Sequence, residues 1–206
     1  MIKNIIIDPG HGGIDENGNY VTSPNKMFEF DDGFTIYEGE VNRKLAKHLQ
    51  NNFLANVANK LNVVFTVNPL DASDISLHDR VEFSKKYNPK TTLFISLHNN
   101  AGGGSGFEIY TSEGETKSDK LATSIYKAVK PTYKEYGLPM RKDTVNDNDV
   151  DKEAQFYVLR KTICPAVLVE GAFFDNRKDA ELLKNENFLK DISFSIYYGI
   201  QNYINS

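Results

Sequence analysis

The chain holds four histidines, His11, His48, His78 and His98, few enough to compare one by one. His11 follows the apolar run Ile5-Ile6-Ile7 and the turn Asp8-Pro9-Gly10, and His98 follows Leu93-Phe94-Ile95-Ser96-Leu97. Each imidazole therefore emerges where a buried strand gives way to a loop, which is where open α/β sheets bind ligands. Glu170 directly follows Ala166-Val167-Leu168-Val169. A carboxylate at the end of such a run is costly unless it is paired, hydrogen-bonded or metal-bound. Glu38 and Glu40 open a long helical pattern, where the helix dipole already favours acids, so either could be simple charge compensation. Two imidazoles with one or two carboxylates make a nitrogen and oxygen donor set suited to Zn²⁺, with a fourth position left for water. Such a site polarises a carbonyl, acidifies a bound water and needs a nearby carboxylate to move protons.

Other reactive-looking residues read as structural. His48 stands off the apolar spacing of Leu45 and Leu49 and is expected to face solvent, and His78 adjoins Asp79 and Arg80, which suggests a local polar contact. Cys164 sits among apolar residues before Pro165 and reads as a buried, inert thiol. Gly102-Gly103-Gly104-Ser105-Gly106 lacks the Lys-Ser/Thr ending of a phosphate loop and reads as a mobile loop near His98. The acidic run Asp143 to Asp151 has carboxylates at Asp147, Asp149 and Asp151, but Lys152 and Val158 stand where an EF-hand loop requires Gly and Glu, so it reads as a solvated loop. Tyr133, Tyr136 and Arg141 could reach a glycan or peptide, although aromatic residues at helical spacing usually pack.

The elements that must position these groups follow from periodicity. Apolar runs bounded by turn residues predict strands at Ile5 to Asp8, Val63 to Val67, Leu93 to Leu97, Gly106 to Tyr110, Phe156 to Leu159 and Ala166 to Val169. Val41, Leu45, Leu49, Phe53, Leu54, Val57 and Leu61 recur at helical spacing and predict one long amphipathic helix from Val41 to Leu61. Further helices are predicted over Leu77 to Tyr87, Lys117 to Tyr136, Arg177 to Leu183 and Asn187 to Ile204, with Ser76, Asp119 and Asn185 as caps near their starts. Strands alternating with helices predict an α/β fold: a single-domain three-layer sandwich whose mostly parallel mixed sheet of about six strands is flanked by helices. Two polar stretches, Glu16 to Tyr37 and Pro139 to Ala154, are too long for simple connections and read as loops framing a site.

Composition narrows the function classes. With 206 residues, 40% hydrophobic and 25% charged, the chain can bury a large core and is neither disordered nor fibrous. A net charge of −4 offers no basic field for nucleic acid or anionic lipid. A lone cysteine rules out an internal disulfide or a Cys-based zinc site, so any metal must be held by His and carboxylates. No apolar run approaches the roughly 20 residues needed to span a bilayer, and the N-terminus shows no export signal.

Four ordered segments then carry a resemblance: Ile7-Asp8-Pro9-Gly10-His11-Gly12-Gly13, Glu38-Gly39-Glu40-Val41-Asn42, Phe94-Ile95-Ser96-Leu97-His98-Asn99-Asn100-Ala101, and Val158-Leu159-Arg160 through Pro165 to Phe173. Ser76 to Arg80 and Gly106-Phe107-Glu108 follow the same course. Together they resemble the zinc-dependent N-acetylmuramoyl-L-alanine amidases of the amidase-3 family, found among bacterial autolysins and phage endolysins. Four motifs in order are far more specific than one Gly-rich turn.

The resemblance implies that residues 1–206 form a single catalytic domain. It makes His11, Glu38 and His98 the ligands of Zn²⁺ and Glu170 the catalytic carboxylate. Glu38 is preferred to Glu40 because the family's ligand stands three residues before the Val of the Val-Asn pair, here Val41. The implied reaction is hydrolysis of the amide between the lactyl group of N-acetylmuramic acid and L-alanine in peptidoglycan, at the bacterial cell wall, by a protein secreted after processing or released as a phage lysin. Nucleic acid and membrane are not expected as partners. The same metal set would also serve a zinc exopeptidase acting on ordinary peptides, and a non-catalytic wall-binding domain is the remaining alternative. Two departures stand out. Met27 to Tyr37 lengthens the segment between His11 and Glu38 and suggests a hairpin, and Gly171-Ala172 replaces the family's usual Leu before the Gly-Phe pair.

Overall fold

Ile5, Ile6 and Ile7 are all completely enclosed, so a strand so apolar on both faces needs a helical layer above and below it. The computed structural model describes residues 1–22, 24–56, 60–144 and 149–206. In chain order it contains β1 (Asn4–Pro9), β2 (Met27–Glu29), β3 (Thr35–Tyr37), α1 (Glu38–Ala55), β4 (Asn62–Phe65), α2 (Leu77–Ser84), β5 (Thr92–Asn100) and β6 (Glu108–Thr111). These are followed by α3 (Lys117–Glu135), β7 (Lys152–Glu153), α4 (Tyr157–Lys161), β8 (Ala166–Phe173), α5 (Arg177–Leu183) and α6 (Glu186–Asn205).

The main sheet has six strands in the order β4-β1-β5-β8-β6-β7. Every neighbouring pair is parallel except β6 with β8. Ile5, Ile7, Ile95, Val167 and Val169 face α1, α3, α5 and α6 in the larger core, through Leu45, Leu49, Ile125, Val129, Leu183, Phe188 and Ile196. On the opposite face Ile6, Phe94 and Leu168 meet Val81 of α2 and Val158 and Leu159 of α4. The α/β three-layer sandwich with a mostly parallel mixed sheet is thus the observed architecture. Among the described residues, no helix is long and apolar enough to cross a membrane.

Three expectations are corrected. Phe156 to Leu159 is not a strand. Tyr157–Lys161 is a short helix that buries Val158 and Leu159, and the sixth strand is the two-residue Lys152–Glu153. A short apolar run does not by itself separate a strand from a buried helical turn. The first long helix starts at Glu38 and ends at Ala55, before the predicted Leu61, and Val57 lies outside the described residues. The cap of α3 is Thr116, and Asp119 closes the capping box from the third helical position. By contrast, Ser76 and Asn185 cap their helices as read, and Met27–Glu29 pairs with Thr35–Tyr37 as the expected hairpin.

Candidate metal centre

β1 and β5 are paired from Asn4 with Thr92 to Pro9 with Leu97, so both strands deliver their histidines to the same carboxyl edge of the sheet. The His11 and His98 ring centroids lie 4.8 Å apart, nearly perpendicular. Glu38, in the first turn of α1, enters between them: its Oε1 is 3.0 Å from His98 Nδ1 and 3.3 Å from His11 Nε2. Glu40 points away and accepts the Ile14 amide, 2.7 Å from its Oε1.

This trio could hold a divalent cation. Its three donor atoms lie within 4.8 Å of one another, Glu38 is 1% exposed, and Glu38 Oε2 is sealed from water with no hydrogen-bond partner among the described residues. A buried, half-satisfied carboxylate facing two imidazoles is the borderline nitrogen and oxygen set that zinc-type ions take. Burial opposes charge on all three groups. Even so, the two imidazoles hold Glu38 well below the usual carboxylate range, and Glu38 holds His98 above the ordinary imidazole value. His11, more weakly supported, is depressed by its burial.

Glu170 is the residue of β8 that sits opposite His98 in the parallel ladder and opposite Glu108 in the antiparallel one. Its Oε2 is enclosed and has no partner among the described residues. Burial, reinforced by the Glu38 and Glu108 carboxylates and only partly offset by His98, pushes its pKa up to about 8. A perturbed acid beside a cation-ready trio is the arrangement proton-transfer chemistry requires. Glu108 is itself neutralised, accepting Arg141 Nε and Lys152 Nζ at 2.5 Å each and the Tyr110 hydroxyl at 2.7 Å.

The scaffold around the trio is polar and buried; Asp8, Asn42 and Asn99 lie in the motif segments, whereas Arg43 and Thr66 lie outside them. Arg43 donates to the carbonyls of His11, Asp71 and Ser73, pinning the loop that presents His11. Asn42 donates to the Gly10 carbonyl at 3.1 Å, and Asn99 donates through its side chain to Asn42 at 2.8 Å and through its backbone to Glu38 at 3.2 Å. Below them Asp8, wholly buried, accepts Arg80, Thr66 and Ser96. The sequence signal that singles out Glu170, a charge closing an apolar run, applies equally to Asp8; in the structure β8 continues past Glu170 to Phe173, and β5 continues past His98 to Asn100.

The remaining residues separate from the site. His48 is half-buried and pairs with Glu186 at 2.8 Å, a correction to its expected solvent-facing role, while His78 is exposed on α2. Cys164 is buried, and burial pushes its thiol up to about 12. The glycine loop is anchored, since the Gly102 and Gly103 amides donate to Asp175 and the Gly106 amide to Asp179. Tyr133 is fully buried and donates to the Gly171 carbonyl. Asp151, expected in a solvated loop, is 1% exposed and lies beside Asp119 and Asp149, whereas Asp147 lies outside the described residues.

Fold and trio together define a class: α/β proteins with a His-Glu-His trio able to hold a cation and a buried acid at the carboxyl edge of a mixed sheet. The chain belongs to the N-acetylmuramoyl-L-alanine amidase family of the amidase-3 type, whose profile matches residues 5–202. It is 32% identical to the N-acetylmuramoyl-L-alanine amidase CwlM of Bacillus licheniformis, over 94% of this chain and 65% of that protein. It is 30% identical to the endolysin of Bacillus phage SPP1, over 100% of this chain and 67% of that protein. The chain thus spans about two thirds of the length of these curated relatives. The crystal structure of an N-acetylmuramoyl-L-alanine amidase from Clostridium difficile 630 superposes with a TM-score of 0.78 at 25% identity, covering 100% of this chain and 98% of that one.

Proposed function

We propose that residues 1–206 act as one catalytic unit that hydrolyses the amide between N-acetylmuramic acid and L-alanine in peptidoglycan, at the bacterial cell wall, with Zn²⁺ as cofactor. The observation that carries the reading is the convergence of His11, Glu38 and His98 one strand away from Glu170. Membership of the amidase family and similarity to an autolysin-type amidase and an endolysin support the substrate.

His11 Nε2, His98 Nδ1 and Glu38 would hold the ion. When bound, Zn²⁺ supplies Lewis acidity toward the scissile carbonyl and lowers the pKa of a water in its open position. The chain's own residues do the rest. Asn42, Asn99 and Arg43 fix the donor atoms, so little reorganisation is needed when substrate arrives. Glu170 takes a proton from the attacking water and returns it to the departing L-alanine nitrogen, a double role suited to an acid whose pKa burial has raised. Arg141 and Lys152 keep Glu108 charge-compensated, so Glu170 is the acid left to trade protons.

The test is loss of turbidity of purified cell walls together with the appearance of free L-alanine amino termini. Chelator abolishes both signals and added Zn²⁺ restores them. His98→Ala is expected to lose metal and activity together. If walls are untouched while short model peptides are cleaved from one end, the exopeptidase reading replaces this one.

A further inference from the structure

We propose that Asp119, Asp149 and Asp151 form a second metal site, a structural Ca²⁺ site that clips the edge of the sheet to the start of α3. The three acids come from separate parts of the chain: Asp119 from the first turn of α3, Asp149 and Asp151 from the segment leading into β7. Their carboxylate oxygens nevertheless lie within 4.8 Å of one another. No EF-hand loop is involved, because the third carboxylate arrives from a helix rather than from the acidic run.

Clustered acids alone make no site, and the independent observation is Asp151. It is 1% exposed, its Oδ2 accepts the Thr111 hydroxyl at 2.7 Å, and its Oδ1 has no partner among the described residues. An enclosed, unsatisfied carboxylate oxygen costs free energy unless a cation or a proton meets it, and burial with Asp149 and Asp119 beside it pushes Asp151 up to about 7 when no cation is bound. The adjoining Lys152 is turned away to Glu108 at 2.5 Å, so it does not supply that charge. Asp119 and Asp149 are held in place by backbone contacts: Asp119 Oδ2 accepts the Thr116 amide at 2.5 Å, and Asp149 Oδ1 accepts the Asp151 amide at 3.1 Å.

An all-oxygen, carboxylate-rich set selects a hard cation, and Ca²⁺ tolerates irregular geometry. With bonds of about 2.3–2.6 Å, ligands around one Ca²⁺ stand up to about 5 Å apart, the spacing these three acids have. The site would tie together α3, β6 through Thr111, and β7. Of these, β6 and β7 supply Tyr110, Lys152 and Glu153 to one wall of a cavity of about 490 Å³ that Arg141 also lines. The clip would therefore brace the side of the groove nearest Glu108. This inference does not depend on the amidase reading.

The experiment uses protein freed of calcium, with one equivalent of Zn²⁺ present throughout, and melted with and without about 10 mM CaCl₂ against NaCl of matched ionic strength. For a site of roughly 10⁻⁴ M affinity, Ca²⁺ is expected to raise Tm by about 5–10 °C, and elemental analysis at saturation to find about one Ca²⁺ per chain beyond the zinc. Asp149→Asn, the less buried change, is expected to fold with a near-parental Tm in the absence of calcium and to lose the rise. Asp151→Asn removes the enclosed charge, so it should melt higher than the parent without calcium and fail to respond to it. Identical melting with and without Ca²⁺ overturns the site, as does an undiminished rise in Asp149→Asn or an equal rise with NaCl.

Discussion

In the proposed mechanism Glu170 must be ionised to accept a proton, yet burial pushes its pKa up to about 8, so the cation-free protein at neutral pH holds it mostly protonated. A divalent ion held by His11, Glu38 and His98 would favour the anion and draw that value down. Wall hydrolysis is therefore expected to climb with pH along an acid limb with its midpoint no higher than about 8. Glu170→Gln should keep its metal, lose about 10²–10⁴-fold in rate and show no such limb in what remains. Retention of the limb in that variant would assign it to another group. Cys164 gives the complementary case. With its thiol pushed up to about 12, it should resist iodoacetamide at pH 8 in the folded protein and react once unfolded, and the treated native protein should digest walls at the parental rate. At this scale the sequence was informative where chemistry is rare. Four histidines are few enough to sort, and a Glu closing an apolar run is conspicuous. Asn42 and Asn99 stand inside the motif segments and Arg43 just beyond one, but their roles were not legible, because ordinary polar residues become a scaffold only through the carbonyls and amides the fold brings to them.

Elements deliver these groups through two close approaches that no periodicity reports. A Cβ on Gly10 would stand 2.2 Å from the His98 ring, so the β1 turn and the β5 histidine share space only because residue 10 has no side chain. A Cβ on Gly39 would stand 1.7 Å from the Gly12 carbonyl oxygen, backbone against backbone. The two alanine variants should therefore fail differently. Gly10→Ala is relieved by moving an imidazole, so it is expected to weaken metal affinity by roughly 10–100-fold while the melting transition shifts little. Gly39→Ala has no flexible partner to move and is expected to lower Tm strongly, with metal loss following from the unfolding. Metal titrations beside melting curves separate the two, and equal effects on both readouts in both variants would refute the distinction. His11 adds a local cost, with a left-handed φ of 63° that only the surrounding contacts sustain. Long periodic elements such as α1 and α6 were legible because a full turn of apolar residues repeats. Tyr157–Lys161 was not, since five residues contain too little repeat to tell a helical turn from a strand.

Across the whole molecule, the polar layer beneath the site is also a part of the fold, and it makes stability depend on acid. Asp8 is buried near the end of the interior strand β1, and although burial alone would raise its pKa, Arg80, Thr66 and Ser96 hold it below the ordinary carboxylate value of 3.8. A folded-state pKa below the unfolded one contributes stability that is complete above the unfolded value and drains away as pH falls through the folded value. Glu38 shifts in the same direction in the absence of metal, so the two together predict a protein that keeps its stability down to about pH 5 and loses it steeply below about pH 4. Denaturant titrations across that range, run on metal-free Glu38→Gln beside the parent, isolate the Asp8 contribution. Arg80→Met leaves Asp8 enclosed without its cation and is expected to cost about 3–5 kcal/mol at pH 7, whereas pairing it with Asp8→Asn should recover a substantial part by removing the stranded charge. The double variant should also show a flatter dependence of stability on acid than the parent. Were Arg80→Met alone to cost less than about 1 kcal/mol, the pair would be incidental to the fold, and the acid sensitivity would belong to the cation trio above it.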